Sequence, residues 1–448
     1  MPEKLPPEVR GLPLVGSVAD YLIDPFEMLR KWRARGDVVR VRLARMPFWF
    51  VSHPDLVEQI LVVQHKSFHK DRFAQVLRRV LGEGLLISEG DVWRRQRRLA
   101  NPAFHKERIA HYGAIMVEYA EKTIAGWSDG QERDLHKDMM RLTLEIVAKT
   151  LFGADVGGRA EEVGEALDTV VTFATDPVYA FLPFLRDVPT PNTRRFRAAK
   201  ERLDSILYEF IRQRRAREDE AEDPRSDLLS MLLHARDADG TRMTDEQLRD
   251  EVMTLFLAGH ETTALALTWA FLLLSQHPEI EAKLHRSLEE ALGDRTPTLA
   301  DLPRLKYADM IIDEAMRLYP PAWSMGREAI EDVRIGEWLF PKGTNVWFTP
   351  WSIHRDPRWF DRPDDFVPER WEGGALEKRL PRYAYFPFGG GPRICIGQAF
   401  AQMEAVLLLA TISRKFKLEV LPKQDLRPMP AVTLRPRKGL RVKVLRKP

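Results

Sequence analysis

The stretch Phe388–Gly397 reads FGGGPRICIG and runs directly into a helical pattern that begins at Gln398. Its glycines let the backbone approach a flat ligand closely and turn several N–H groups inward. Cys395 lies beside the start of that helix and two residues after Arg393, so the helix dipole and the guanidinium both favour its thiolate, the form that binds iron. A lone cysteine is more often simply buried beside a turn, so these residues alone leave a ligand role and a packing role open.

The rest of the chain has the composition of a globular protein. Its 448 residues are 44% hydrophobic and 30% charged, which excludes a disordered, a collagen-like or a disulfide-scaffold chain. Because Cys395 is the one cysteine, an intramolecular disulfide and a cysteine-cluster metal site are excluded. A formal net charge of +3 does not favour nucleic acid as a partner. No linker, low-complexity tract or repeat divides the sequence, so we predict one domain over residues 1–448.

Hydrophobic periodicity predicts a mainly α fold with a minor β portion. The helical bulk is expected at about 91–320 and 397–416, with a short helix at Pro25–Ala34. The β portion is expected in two N-terminal strands joined near residues 45–47, and in hairpins within residues 330–350, where turn signals separate β-favouring runs. The fold class therefore places most functional side chains on helices and their connecting loops.

One long central helix stands out. Thr244–Gln247 has the spacing of a capping box, and the helix that it opens ends before Pro278, a span of roughly 45–50 Å. Its segment Met253–Leu274 is long enough to cross a membrane, but Glu261 in the middle would cost several kcal/mol in lipid. We predict a helix buried in protein, and a charged, solvated loop at residues 217–227 before it. The charged, proline-rich N-terminus lacks the apolar core of a signal or anchor, so we expect a cytoplasmic protein with no membrane span.

The same helix carries a polar motif in an apolar environment. Ala258–Thr263 reads AGHETT, which puts the carboxylate of Glu261 beside the hydroxyl of Thr262. Glycine weakens a helix, and a threonine hydroxyl can bond the carbonyl one turn back, so the backbone ladder is expected to be weakened here, with room for water or a ligand. The alternative is a polar patch that is hydrogen-bonded within the core.

Two further pairs have helical spacing. Glu314 and Arg317 are three residues apart and, taken alone, predict an ordinary exposed ion pair. Trp93 and Arg97 are four residues apart and share a helix face. Three further arginines in that segment form either a solvated face or a basic docking patch for an acidic partner. They are Arg94, Arg95 and Arg98.

Together these motifs resemble the cytochrome P450 family over essentially the whole chain. The pattern Phe-x-x-Gly-x-Arg-x-Cys-x-Gly is similar to the haem-binding signature of that family. It is matched by Phe388, Gly391, Arg393, Cys395 and Gly397. The resemblance implies the cytochrome P450 fold, with the long helix over a haem b (iron protoporphyrin IX) whose iron is ligated by the Cys395 thiolate.

The resemblance also assigns roles to residues outside the loop. Glu261 and Thr262 are implied as the pair that delivers protons to dioxygen, Ala258 and Gly259 as the residues that leave space above the iron, and His260 as a variable position that is not a ligand. Glu314-x-x-Arg317 and Pro368-Glu-Arg370-Trp are similar to two family elements, which implies a structural triad of Glu314, Arg317 and Arg370 that locks the cysteine loop. The implied haem propionate contacts are Arg393, Trp93, Arg97 and Arg327.

The activity that the resemblance implies is monooxygenation: one atom of O2 enters a C–H or C=C bond of a hydrophobic substrate. Electrons are expected from a separate ferredoxin- or flavodoxin-like donor with its NAD(P)H reductase, and the protein is expected to be a monomer. A peroxide-driven peroxygenase and a non-catalytic haem-thiolate sensor remain alternatives, although Glu261 and Thr262 count against both.

By family position, four apolar stretches besides the long helix are expected to line the substrate pocket: Phe73–Ile87, Phe173–Leu185, Pro321–Met325 and Ala431–Leu434. Their phenylalanine, leucine, valine and proline content favours a large apolar ligand such as a fatty acid, terpenoid or carotenoid. Apolar side chains in these stretches are also what a packed core needs, so this interpretation has a plain alternative.

Overall fold

The computed structural model describes residues 5–44, 46–155, 157–176, 179, 183–216, 227–236 and 240–447. The chain divides into two compact units. The first comprises Met1–Val76, Asp313–Cys395 and Val432–Leu434, and the second comprises Leu77–Ile312, Ile396–Ala431 and Arg435–Pro448. One domain over residues 1–448 stays a prediction. The predicted loop at 217–227 lies, except for Asp227, outside the described residues.

The described residues are mainly helical with a minor sheet portion, which confirms the predicted fold class. The α-helices are Val18–Ile23, Pro25–Arg33, Pro54–Glu58, Arg72–Val76, Arg78–Leu81, Gly90–Ala100, Lys106–Ala125, Leu135–Phe152, Ala160–Thr175, Pro191–Ala216, Leu228–His234, Asp245–Gln276, Pro278–Leu292, Lys306–Leu318, Pro350–Ile353, Ala375–Arg379 and Gln398–Lys415. The strands are β1 (Val38–Leu43), β2 (Met46–Val51), β3 (Phe68–Lys70), β4 (Glu132–Asp134), β5 (Met325–Ala329), β6 (Val333–Ile335), β7 (Trp338–Phe340), β8 (Asn345–Phe348), β9 (Phe416–Val420), β10 (Pro428–Pro430), β11 (Leu434–Pro436) and β12 (Arg441–Arg446).

The first unit is built on a five-stranded sheet with the strand order β1–β2–β8–β5–β3. The predicted N-terminal pair is present, with Val38 opposite Val51 in antiparallel register. The prediction of hairpins within residues 330–350 is only half right. β6 and β7 pair as expected, but β8 runs parallel to β2, with Phe48 opposite Asn345, and antiparallel to β5. Most of β8 is buried, so it takes a central position in the sheet, which a second local hairpin would not provide.

The second unit contains most of the helices and a three-stranded sheet in the order β4–β12–β9. β4 lies inside a stretch for which the sequence predicts helix only. It pairs with the C-terminal strand, with Asp134 opposite Arg441. A strand of three residues has no periodicity of its own, so its partner, far away in sequence, decides its conformation.

The long helix spans Asp245–Gln276 and begins and ends where the sequence predicts. Thr244 and Gln247 form the capping box: Gln247 N donates to Thr244 Oγ1 at 3.2 Å and Thr244 N donates to Gln247 Oε1 at 3.0 Å. The helix stops at His277 because Pro278 starts the next one. By length and apolar composition this helix could also cross a membrane, yet 83% of its most apolar window is buried inside the protein. It is therefore the core helix of the second unit.

A buried carboxyl group near the start of the long helix anchors the distant loop at residues 82–89. Glu251 is fully buried, and its Oε2 accepts a hydrogen bond from Leu85 N at 3.2 Å. Gly84 lies so close to the helix that a Cβ would be 2.0 Å from Thr254 Oγ1. Burial raises the pKa of Glu251 to about 8, because the charged form loses its hydration.

The first unit holds its own buried ion pair. Glu314 and Arg317 have fully buried side chains, so the exposed pair that their spacing alone predicts is wrong. Arg317 Nε and Nη2 donate to the two oxygens of Glu314, both at 2.8 Å, and Arg370 Nε donates to Glu314 Oε1 at 3.1 Å. Glu314 also accepts from Val367 N and Trp371 Nε1, and Arg317 donates to the carbonyls of His354, Pro363 and Asp365. The three residues of the predicted triad are therefore in contact.

Removing one side of this pair leaves a buried charge without its partner. We expect Arg317→Ala to lower the free energy of unfolding by about 3–5 kcal/mol. The exposed pair Arg94–Asp91 has the same i,i+3 spacing, and Arg94→Ala should cost at most about 1 kcal/mol. Urea unfolding of both variants checks this, and equal losses would mean that the network does not stabilise the first unit.

Glu251 predicts a pH dependence of stability. Its folded pKa of about 8 lies above the ordinary 4.5, so the folded state holds a proton that the unfolded state loses. The stability of the wild type should therefore fall as the pH rises from 5 to 8. Glu251→Gln should reduce the change in the free energy of unfolding between pH 5 and pH 8 by about a few kcal/mol at most. Glu289 is exposed, and Glu289→Gln should leave that change as it is in the wild type. Urea unfolding of the wild type and both variants from pH 5 to 8 checks this. The same pH dependence of the free energy of unfolding in all three proteins would contradict a protonated Glu251.

Candidate active site

The cysteine loop is closed by its own backbone. Cys395 N donates to the carbonyl of Phe388 at 3.0 Å, and the Cys395 side chain is exposed. Gly391 has a φ of +64°, and a Cβ there would lie 1.9 Å from the carbonyl oxygen of Leu61. Gly391 N donates to the hydroxyl of Tyr383 at 3.1 Å. The loop thus needs a glycine at 391.

The loop leads into the helix Gln398–Lys415, as predicted. Gly397 is the residue before its first turn, and Arg393 is half-buried in a short 3₁₀ turn two residues before the cysteine. A Cβ at Gly397 would make only an ordinary 3.7 Å contact with Phe104, so packing does not require this glycine. A soft thiolate donor beside a helix start and an arginine fits iron as a ligand. The loop can therefore hold a haem iron at Cys395.

The long helix has one open stripe. Between Leu248 and Leu274 every residue is buried except Ala258, Gly259 and Thr262, which lie on adjoining turns. The Oγ1 of Thr262 donates to the carbonyl of Ala258 at 2.8 Å, the predicted bond to the preceding turn. The helix is nevertheless continuous through this point, so the predicted weakening of the backbone ladder is not observed.

Gly259 also packs closely against a neighbouring helix. A Cβ at this position would lie 3.0 Å from Cγ2 of Val147 on the helix Leu135–Phe152, so the missing side chain lets two helices approach closely. Thr143 on that helix donates to the carbonyl of His260 at 2.8 Å across the same contact. Of the two small residues, Ala258 is the one with an exposed position. That Ala258 and Gly259 leave space above the iron stays a prediction.

His260 faces the protein interior. It is almost fully buried, its Nδ1 lies 3.0 Å from the carbonyl oxygen of Phe256, and burial lowers its pKa. That His260 is not a metal ligand stays a prediction.

Glu261 is held by a residue to which the sequence assigned no role. Its carboxylate is buried, and Arg435 Nε donates to Glu261 Oε1 at 2.5 Å. Arg435 Nη1 also donates to Asp168 Oδ1 at 2.6 Å. His136 lies close to these charges, and its pKa is lowered to about 4, chiefly by burial and then by the charge of Arg435. A strand arginine in the run VTLRP carries no local signal of this contact, because its partners are more than 170 residues away.

Two of the four predicted propionate donors lie in each unit. Arg393 and Arg327 belong to the same unit as Cys395, and Arg327 is buried on β5 with its Nη1 donating to the carbonyl of Gly326 at 2.7 Å. Trp93 and Arg97 are half-buried on the helix Gly90–Ala100 of the second unit. Each set contains donors that suit a carboxylate.

The remaining arginines of that helix are mostly solvated. Arg94 pairs with Asp91, the Nη1 of Arg95 lies 3.4 Å from Gln247 Oε1, and Arg98 is exposed. The charge of Arg94 is thus partly neutralised.

One predicted substrate-lining stretch contributes to packing. Phe173 is buried and stacks on Phe196 with ring centroids 4.3 Å apart, and it also contacts Tyr179. Within Phe173–Leu185, residues 177, 178 and 180–182 lie outside the described part of the chain. For Phe173 the core interpretation is therefore the better supported one.

Comparison with known proteins places these elements in a family. The cytochrome P450 family model matches residues 6–444. Cyclooctatin synthase of Streptomyces melanosporofaciens is 38% identical over 95% of this chain and 92% of its own length. Pentalenene oxygenase of Streptomyces avermitilis is 35% identical over 97% of this chain and 96% of its own length.

Solved structures agree with these relatives. A cyanobacterial cytochrome P450 with retinoic acid bound covers this chain completely, and is itself completely covered, with a TM-score of 0.87 at 25% identity. The haem domain of cytochrome P450DA gives a TM-score of 0.88 at 26% identity, with 100% of this chain and 98% of that chain covered. A family match over nearly the whole chain implies an oxidoreductase that uses haem iron, O2, a hydrophobic substrate and a redox partner. This chain belongs to the cytochrome P450 family.

Proposed function

We propose that this enzyme is a haem-thiolate monooxygenase that inserts one oxygen atom of O2 into a C–H or C=C bond of a terpenoid. The observation that carries the proposal is the exposed Cys395 side chain at the end of a loop closed by the Cys395–Phe388 hydrogen bond. Cys395 is the iron ligand of a bound haem b in this proposal. The haem supplies the oxygen-activating redox chemistry, and the chain supplies ligation, proton delivery and placement of the substrate.

Thr262 and Glu261 divide the proton delivery between them. The hydroxyl proton of Thr262 points to the Ala258 carbonyl, so the lone pairs of Oγ1 are available to accept a hydrogen bond from water in the open stripe. Glu261 is the neighbouring acid, and its carboxylate oxygen takes up and releases the proton. Ala258 leaves the stripe open because its side chain is only a methyl group.

The other predicted residues bind or support the cofactor. Arg393, Arg327, Trp93 and Arg97 are the proposed donors to the two haem propionates. Phe388 and Gly391 shape the cysteine loop, Gly397 connects it to the following helix, and the buried contacts of Arg317 and Glu314 hold residues 354–371, which precede it in the chain.

The names of the relatives support terpenoids as the substrate class. The fatty acid, terpenoid and carotenoid classes all suit apolar lining residues, but the names pentalenene oxygenase and cyclooctat-9-en-7-ol 5-monooxygenase favour terpenoids. A related structure also binds retinoic acid. We therefore expect binding of a cyclic terpene or terpene alcohol in preference to a linear fatty acid.

Electrons are proposed to come from a ferredoxin- or flavodoxin-like protein with its NAD(P)H reductase, docking near Arg95 and Arg98, where positive charge would raise the association rate. We propose a monomeric, cytoplasmic enzyme, and the burial of the long helix supports the absence of a membrane span there.

Thr262→Val tests the function through the coupling of electrons to product. With a cyclic terpene, O2 and a surrogate ferredoxin system, we expect product per NAD(P)H to fall about tenfold and hydrogen peroxide to rise, because the hydroxyl that relays the proton is lost. Thr268 is the matched control: it makes the same bond to the preceding turn, at 2.7 Å from the Ala264 carbonyl, but it is buried.

Thr268→Val should keep the wild-type coupling. Equal coupling in both variants would remove Thr262 from the mechanism. Full turnover of the wild type with peroxide alone, and none with O2 and the donor, would replace the monooxygenase by a peroxygenase.

A further inference from the structure

Three charged side chains form a continuous line from solvent to the proposed proton-relay acid. Asp168 is 61% exposed, Arg435 is 9% exposed and Glu261 is 3% exposed. Arg435 bridges the two carboxylates, with Nη1 at 2.6 Å from Asp168 Oδ1 and Nε at 2.5 Å from Glu261 Oε1. All three belong to the second unit, on the helix Ala160–Thr175, the strand β11 and the long helix.

We propose that Arg435 is a positioning residue for proton delivery: it fixes the ionised carboxylate of Glu261, while Asp168 anchors the guanidinium at the surface end. This deepens the proposed function and rests on it, because it matters only if Glu261 relays protons. Arg435 touches no reacting group itself and acts through Glu261.

The chemistry of the guanidinium supports a holding role. Arginine keeps its proton under all ordinary conditions, so Arg435 does not carry protons itself. A buried carboxylate without a partner is costly, and the cation at 2.5 Å stabilises the charged form that accepts a proton. In one cycle Glu261 takes a proton that originates from water and passes it towards Thr262. It ends as the same carboxylate paired with the same arginine.

The other titratable groups around Glu261 do not replace this cation. His136 on the helix Leu135–Phe152 faces the cluster, but its pKa of about 4 leaves it neutral near pH 7. The pKa of His260, the neighbour on the same helix, is also lowered by burial. Asp134 and Asp168 carry negative charge. Arg435 is thus the cation that pairs with Glu261.

A purely structural ion pair would show itself differently. Its loss would lower stability without changing how electrons are divided between product and peroxide. Arg249 provides the matched control, because it is a buried arginine on the same long helix that bonds Asp250 at 2.8 Å and also pairs with Asp204. Arg249→Gln breaks a similar buried pair away from Glu261.

The test compares Arg435→Gln, Arg435→Lys, Asp168→Asn and Arg249→Gln in the haem-loaded enzyme. We expect Arg435→Gln to lower product per NAD(P)H several-fold with a matching rise in peroxide, Arg435→Lys to restore most of the coupling, and Asp168→Asn to have a smaller effect in the same direction. Arg249→Gln should keep wild-type coupling. Coupling in Arg435→Gln equal to the wild type would overturn the proposal, and so would equal losses in Arg435→Gln and Arg249→Gln.

A second readout does not depend on turnover. In a double-mutant cycle of urea unfolding, Arg435→Gln should be much less destabilising in a Glu261→Gln background than in the wild type, because the pair is already broken. Additive losses would show that Arg435 does not hold Glu261 in solution.

Failure of the proposed function is recognised separately. If the wild type forms no product from O2 and donor, or lacks a thiolate-ligated haem spectrum, the proposed function fails whatever the unfolding cycle shows. If the wild type is well coupled and the Arg435 variants are equally well coupled, only the role of Arg435 fails.

Discussion

The ion pair between Glu314 and Arg317 is the interaction on which the first unit depends most. Both side chains are fully buried, and a charge in that position is tolerable only when every donor and acceptor is satisfied. Glu314 accepts from Arg317, Arg370, Val367 and Trp371, and Arg317 returns hydrogen bonds to three backbone carbonyls. These two side chains therefore provide hydrogen-bond partners for backbone groups of an irregular stretch that are not paired within a helix or a sheet. The cysteine loop follows this stretch in sequence, after the helix Ala375–Arg379, and is anchored within the same unit by Tyr383 and by its close approach to Leu61.

In the second unit, burial of the long helix leaves only a few of its residues accessible. Almost all of the long helix packs against its neighbours, and Gly259 lets the helix Leu135–Phe152 approach until a single extra carbon would touch Val147. What remains open is the stripe of Ala258, Gly259 and Thr262. Glu261, the residue before Thr262, is buried and paired with Arg435. Two adjacent residues thus place a hydroxyl that water can reach beside a carboxylate that is held by a cation.

Local sequence signals predicted the parts of this protein that depend on neighbouring residues. The capping box at Thr244, the glycine-rich loop around Cys395 and the alternating strands before Val51 were all visible in short windows. Contacts between distant segments were not. β8 joins the sheet through β2 and β5, β4 forms because β12 lies beside it, and Gly259 serves a neighbouring helix. Arg435 is the clearest example, since its two partners lie on helices far away in sequence.

The proposed chemistry requires that Cys395 ligates a haem iron as a thiolate. The most direct measurement is the difference spectrum of the dithionite-reduced protein with and without carbon monoxide, recorded for the wild type and for Cys395→Ser. We predict a strongly red-shifted Soret band in the wild type and its loss in Cys395→Ser, with the same helical content in both proteins by circular dichroism. The same red-shifted band in both proteins, or a wild-type band typical of histidine-ligated haem, would contradict it.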